Sequence, residues 1–293
     1  MGISDQEKSP KVFEFLDNYF SIMDQASVSE KSIFSDENAK EKHESILMYA
    51  FRKYRAASYH LERVEQLKVD TISNTDTDLL SNEHLPNGAK VKISIIRSAD
   101  HFIYELAAFF AAVKSSIDFL ATACSEYIKG IVTDSIRTFI KGVDKNRKGH
   151  IFDVIKKHLL WLKEIREYRH HLVHRMVITA SVGHETHKCE HLVKKINYPV
   201  VVPKSTPAYF PDTRRSRMLR EEMNYLDCIM SESKVKYSDG TQEIVEFSIK
   251  YSPSRDFIEI SELMTSHLHQ LEAFFCDIIV ELKNMNFCAI KLQ

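Results

Sequence analysis

Apolar residues recur along most of this chain at the three-to-four-residue interval of an amphipathic helix. Val12 to Met23 reads as a short helix of this kind. A longer one opens near Asp36, whose side chain can cap, and continues to about Val69. Along it Ile46, Tyr49, Ala50, Tyr54, Ala57, Leu61, Val64 and Leu67 keep helical spacing. Thr71 to Gly88 is polar, ends on Pro86-Asn87-Gly88, and reads as a loop. The third predicted helix runs from about Lys90 to Lys129 and is apolar on most of its circumference between Ile103 and Leu120. A helix of that kind must be covered on several sides, which makes it the centre of a bundle. After Gly130 come a short helical piece (Ser135 to Ile140), a basic turn, and a helix from about Ile151 to His174.

Beyond Arg175 the period changes. Met176 to Val182 and Cys189 to Val202 are rich in Val, Ile and Thr, and with Gly183-His184-Glu185-Thr186 between them they predict a β-hairpin. Lys234 to Tyr237 and Glu243 to Lys250 flank Ser238-Asp239-Gly240 and predict a second. Asp256 opens a last long helix to about Met285. The pattern predicts a mainly α protein, an antiparallel helical bundle with an inserted β-hairpin region. Its expected divisions are an N-terminal helical extension (1–35), the bundle core (36–175), the hairpin and loop insertion (176–255) and a C-terminal helix returning to the bundle (256–293).

Composition narrows this picture. With 7 Gly and 7 Pro in 293 residues, long uninterrupted helices are favoured. A formal net charge of -1 means that any nucleic-acid contact must rest on local basic patches. The five cysteines are odd in number and have no paired spacing, a reducing-compartment pattern. The N-terminus lacks an apolar signal region, and the longest apolar run, Leu106 to Val113, is far short of the roughly 20 residues that span a bilayer. The expectation is a cytoplasmic, soluble protein with no membrane partner.

Candidate chemistry concentrates in Arg166-Glu167-Tyr168-Arg169-His170-His171-Leu172-Val173-His174-Arg175. Arginine is always charged and forks onto phosphate, while histidine moves protons near neutral pH. With Phe152 at zero on a wheel of about 100° per residue, the apolar stripe of Ile155, Leu159, Leu162 and Val173 falls between about 280° and 340°. Arg169 and Arg166 land on that stripe, His170 and His174 on its edge, and His171 away from it. Two readings stay open on spacing alone. Carboxylates such as Glu167 pair with these groups in a buried network, or the stripe emerges into a cleft or interface where an anion supplies the charge.

Arg169-His170-His171-Leu172-Val173-His174 resembles the R-x4-H motif of HEPN domains, with a polar residue directly after the arginine. The helix Ala108-Phe109-Phe110-Ala111-Ala112-Val113-Lys114-Ser115-Ser116-Ile117-Asp118-Phe119-Leu120 upstream strengthens the likeness to bacterial members. The resemblance covers roughly residues 37 to 175 and the last helix. It implies a metal-independent endoribonuclease in toxin–antitoxin or anti-phage defence, without cofactor, whose partners are RNA, a second copy of the chain and an antitoxin or sensor protein. It implies that His174 serves as general base or acid, Arg169 stabilises charge on the phosphorane, and His170 orients the phosphate or tunes His174. One motif copy per chain implies a homodimer that completes the site. Arg166 and Arg175 would position phosphate. The basic segments holding Lys145, Arg147 and Lys148, and Arg214, Arg215 and Arg217, would guide RNA. Ser115 and Asp118 read as helix-packing polar residues. A non-catalytic module that binds RNA, nucleotide or protein is the alternative.

A second constellation is His184, His187, Cys189 and His191. His187, Cys189 and His191 share one face of a strand, but neighbours about 7 Å apart diverge too far for one tetrahedral zinc. His184 with His187 or Cys189 around a turn is geometrically easier. An exposed polar hairpin tip is the favoured reading, with zinc binding a further alternative.

Overall fold

A computed structural model of the protein describes residues 11–28, 34, 36–79, 90–98, 100–128, 134–145, 148–174, 181–189, 192–197, 199–204, 226–236 and 242–291. It is mainly helical, as the pattern predicts. In chain order the elements are α1 (Lys11–Val28), α2 (Glu37–Leu79), β1 (Lys90–Ser98), α3 (Asp100–Ala123) with a 3-10 turn (Cys124–Tyr127), α4 (Ile136–Asp144), α5 (His150–Lys157) and α6 (Leu159–His174). Then come β2 (Ser181–Cys189), β3 (Leu192–Asn197), β4 (Val201–Pro203), β5 (Leu226–Lys236), β6 (Gln242–Pro253), β7 (Phe257–Glu259) and α7 (Ile260–Lys291). The strands form three antiparallel sheets, ordered β1-β2-β3, β4-β7 and β5-β6.

The chain divides into two compact units. The first comprises Met1–Leu61, Ala107–His170 and Met264–Gln293. It buries Val12, Leu16, Tyr19 and Met23 of α1, a spacing of four, three and four that puts them on one side of the helix. From α2 it buries Leu47, Ala50, Tyr54 and Ala57 in the same manner. Asp36 caps α2 as expected, its Oδ1 accepting the Ala39 N–H at 2.8 Å. In α3 Phe109, Phe110, Ala112, Val113, Ser116, Ile117, Leu120 and Ala121 are all buried, about half of the helix circumference, while Ala108, Ala111, Lys114, Ser115, Asp118 and Phe119 on the other half are partly exposed. Asp118 Oδ1 accepts the first N–H of α4, from Ile136, at 2.8 Å, tying α3 to α4.

The second unit comprises Glu62–Leu106 and His171–Leu263. Its apolar centre includes Val64, Phe102, Leu106, Val200, Val201, Val202, Phe257 and Ile260. The Glu259 side chain caps α7, accepting the N–H groups of Ser261 and Glu262, while Lys68 pairs with it at 2.9 Å.

Several boundaries differ from the sequence reading. Lys90–Ser98 is a strand, not the start of the third helix, and it pairs with β2 from Lys90↔Cys189 to Ser98↔Ser181. Val91, Ile93 and Ile95 alternate with Lys92 and Ser94 there, a period of two that the strongly helical text after Asp100 obscures. Gly183-His184-Glu185-Thr186 lies inside β2, and the first hairpin turns between Cys189 and Leu192, so its strands are displaced from the expected ones. The second hairpin forms about the expected turn but with longer arms. The helix α2 runs on to Leu79, into the segment read as loop. The last helix starts at Ile260 because residues 257–259 pair with β4 instead. Among the described residues only α3 is long and apolar enough to cross a membrane, and 56% of that stretch is buried within the protein.

The α4–α5 junction is tightly packed. A Cβ added at Gly142 would collide with the ring of buried Phe152. Gly142→Ala gains up to about 1 kcal/mol of helix propensity, but overpacking of a rigid ring costs about 1–3 kcal/mol. The expected result is a net loss of stability, read as a lower urea midpoint with an unchanged slope. A higher midpoint would show that the ring has room to shift.

Candidate functional site on helix 6

The predicted helix from Ile151 to His174 is two helices. The first ends at His158, whose N–H bonds back to the Val154 carbonyl. The His158 ring packs edge-on against Trp161 and Phe274, and its Nε2 lies 2.7 Å from Asp277 Oδ2, which Lys157 also contacts at 2.7 Å. Burial pushes the Asp277 carboxyl up, but the hydrogen bonds from His158 and Lys157 outweigh it and hold the group below its ordinary value.

The buried face changes across this interruption. In α5 the buried residues are Ile151, Phe152 and Ile155, centred near 300° on the wheel anchored at Phe152. In α6 they are Trp161, Leu162, Ile165, Tyr168 and Leu172, centred near 200°. On one wheel carried through His158 the buried side therefore shifts by about 100° before the motif is reached.

The consequences fall directly on the candidate residues. Arg166, placed on the buried stripe by the continuous wheel, is exposed, its side chain 49% accessible and 3.5 Å from Glu167. His170, placed at the stripe's edge, is exposed. His171, placed away from the stripe, is buried. Arg169 alone keeps roughly its expected place, half-buried at the margin of the apolar side. His174 is the last residue of α6, one turn beyond His170 and within about 40° of it on the helix. The His174 side chain and Arg175 lie outside the described residues.

Tyr168 fixes the face that carries these groups. Its ring stacks on Phe110 at 4.7 Å and 7°, and stands edge-on to His267 at 5.7 Å. The Trp161 indole N–H donates to His267 Nδ1 at 3.0 Å, which puts the His267 proton on Nε2. Burial lowers the His267 pKa to about 4, so the imidazole is neutral in the fold. His267 escaped the sequence reading although a signal was present: it occupies the apolar row with Met264, Leu271, Phe274 and Ile278.

The remaining candidates scatter. Lys145 and Lys148 are exposed about the turn between α4 and α5. Arg147, Arg214, Arg215 and Arg217 lie outside the described residues. Ser115 donates to the Ala111 carbonyl, and Asp118 pairs with Lys114 besides capping α4, so both serve helix packing. His184, His187 and Cys189 stand along the central strand β2, with His187 opposite Lys92 and Lys194; their side chains, and His191 altogether, lie outside the described residues. Since no turn separates His184 from Cys189, their backbones are about 16 Å apart at 3.3 Å per residue, which removes the route to a shared ion around a turn. Among the described residues no group of His, Cys, Asp and Glu could hold a metal ion. Cys124 and Cys276 are buried free thiols, and burial raises the Cys276 pKa to about 11.

No protein-family model, curated protein or solved structure matches the chain.

Proposed function

We propose that this protein is a metal-independent endoribonuclease of HEPN type acting in toxin–antitoxin or anti-phage defence. The observation that carries the reading is the outward presentation of the motif. On the last turns of α6 Arg166 and His170 are exposed, with Arg169 at the margin between core and surface. A buried ion network would have placed these groups inward, whereas Arg166 meets Glu167 at the surface. The inward places go to Ile165, Tyr168, His171 and Leu172, and the side that carries Arg166 and His170 faces outward.

RNA carries its own nucleophile, so the protein has to move protons and hold charge. His174 would take the proton of the 2′-OH or return one to the departing 5′-oxygen. Arg169 would hold the charge that builds on the non-bridging oxygens, with Arg166 and His170 seating the phosphate. A single histidine on a convex helix serves one side of the scissile bond, so a second copy of the chain would complete the site across a two-fold interface.

The test is incubation of the purified full chain with several RNAs in EDTA, followed by analysis of product ends. The expected products carry a 2′,3′-cyclic phosphate and a 5′-hydroxyl. Specific activity should fall on dilution as dimers dissociate. RNA left intact across single-stranded and folded substrates, or cleavage that requires a divalent ion, would overturn the reading.

A further inference from the structure

A separate surface lies on the solvent side of α2. From Ser45 to Leu61 the sequence contains no Asp or Glu, whereas Arg52, Lys53 and Arg55 are all exposed. Over that span of about 24 Å the helix also exposes two large aromatic side chains, Tyr49 at 49% and Tyr59 at 55%. Tyr49 is pre-set: it stacks on Phe119 with ring centroids 5.6 Å apart and 28° between planes, and the Arg52 guanidinium lies 5.6 Å from its ring centroid. The carboxylate next to Phe119, that of Asp118, is neutralised by Lys114 and by the N-terminus of α4. With Tyr49 at zero, Arg52 falls near −60°, Tyr59 near −80°, Lys53 near +40° and Arg55 near −120°, so the five groups share the solvent side of the helix over about 160°.

We infer that this strip of α2 is a binding track for single-stranded RNA, with bases stacking on Tyr49 and Tyr59 and phosphates meeting Arg52, Lys53 and Arg55. A basic row with no Asp or Glu between Ser45 and Leu61 is complementary to a polyanion, and a base can stack on Tyr59 and on the Tyr49–Arg52 pair, where the guanidinium already lies over the ring, which suits sequence-tolerant single-strand binding. A protein-docking face would be expected to expose aliphatic side chains at its centre, but Ile46 and Met48 are only half-exposed and the rest of the strip is polar or aromatic. The inference stands on α2 and does not require α6 to be catalytic.

The test is fluorescence anisotropy of the full chain with a labelled 2′-O-methyl oligouridylate of about 12 nucleotides, a probe that cannot be cleaved by 2′-OH attack. Tyr49→Ala should weaken binding about tenfold, and Tyr49→Phe should stay near wild type because the stacking ring survives. Arg52→Gln with Lys53→Gln should reduce the slope of log K against log salt by about 1.4. Tyr49→Ala should weaken binding by the same factor in wild type and in an Arg169→Ala, His174→Ala background, which separates failure of the track from failure of the ribonuclease reading. The inference is overturned if the probe does not bind at low salt, if Tyr49→Ala binds like wild type with an unchanged thermal midpoint, or if Tyr49→Phe loses as much as Tyr49→Ala. Capture of a protein partner by a chain that leaves the probe unbound would also overturn it.

Discussion

Replacing His174 with alanine is expected to slow RNA cleavage by about 10²–10⁴-fold, the usual contribution of a positioned general acid or base. Arg169→Ala should cost about 10²–10³-fold, and Arg169→Lys should recover little, because an ammonium does not reproduce the two-pronged contact of a guanidinium with phosphate. The double variant should be scarcely worse than His174→Ala, since groups acting on one transition state are not additive. The informative control is His171→Ala. His171 is buried, so its loss should lower stability while the remaining folded protein cleaves at the normal rate. That separates the Arg169/His174 frame from Arg166 and His171, which give a second R-x4-H match three residues upstream. Full activity of His174→Ala, or inactivity of a folded His171→Ala, would reverse the assignment.

Acidification should destabilise the protein before the carboxylate range is reached. His43 and His267 are both buried, and burial lowers each pKa to about 4. His43 lies among Tyr19, Phe34 and Tyr127, with Tyr19 Oη 3.0 Å from its Nε2 and its Nδ1 without a hydrogen-bond partner. In the unfolded chain both imidazoles protonate near 6.5, whereas in the fold they resist until about 4. Stability is therefore whole above about pH 6.5 and falls through the window down to about pH 4, where the folded state also takes up protons. Between pH 7.5 and pH 5 the two together should cost about 4 kcal/mol, at 1.36 kcal/mol per unit for each group. Urea unfolding followed by Trp161 fluorescence reports this directly, because Trp161 is the single tryptophan and donates to His267. The His43→Gln, His267→Gln double variant should flatten the curve. An equal slope in wild type and double variant would refute the assignment.

The helical elements were legible because each buries one stripe and the stripe survives in the text. Val12, Leu16, Tyr19 and Met23, or Leu47, Ala50, Tyr54 and Ala57, announce their helices without help from the rest of the fold. What the text obscured has local physical causes. The alternation in Lys90–Ser98 precedes a helix apolar enough to dominate any window that includes it. The turn at Gly183 was inferred from a glycine and its polar neighbours, yet pairing on both edges holds that segment extended as a central strand. For the candidate site, the sequence placed the Arg/His motif on a helix, where it lies, but gave Arg166, His170 and His171 orientations that differ from those found. Neither Gly nor Pro marks the interruption at His158, which depends on contacts with Trp161, Phe274 and Asp277.

That interruption also uncouples α6 from the register of α5. Across an unbroken helix, inserting or deleting one residue turns everything downstream by about 100° and drives polar groups into the core. At residue 158 the break separates the two helices, but the buried stripe of Trp161, Leu162, Ile165, Tyr168 and Leu172 still fixes which side of α6 faces outward. A one-residue insertion at 158 is therefore expected to be taken up in the break, with the α6 stripe seated as before and the Arg/His face unmoved.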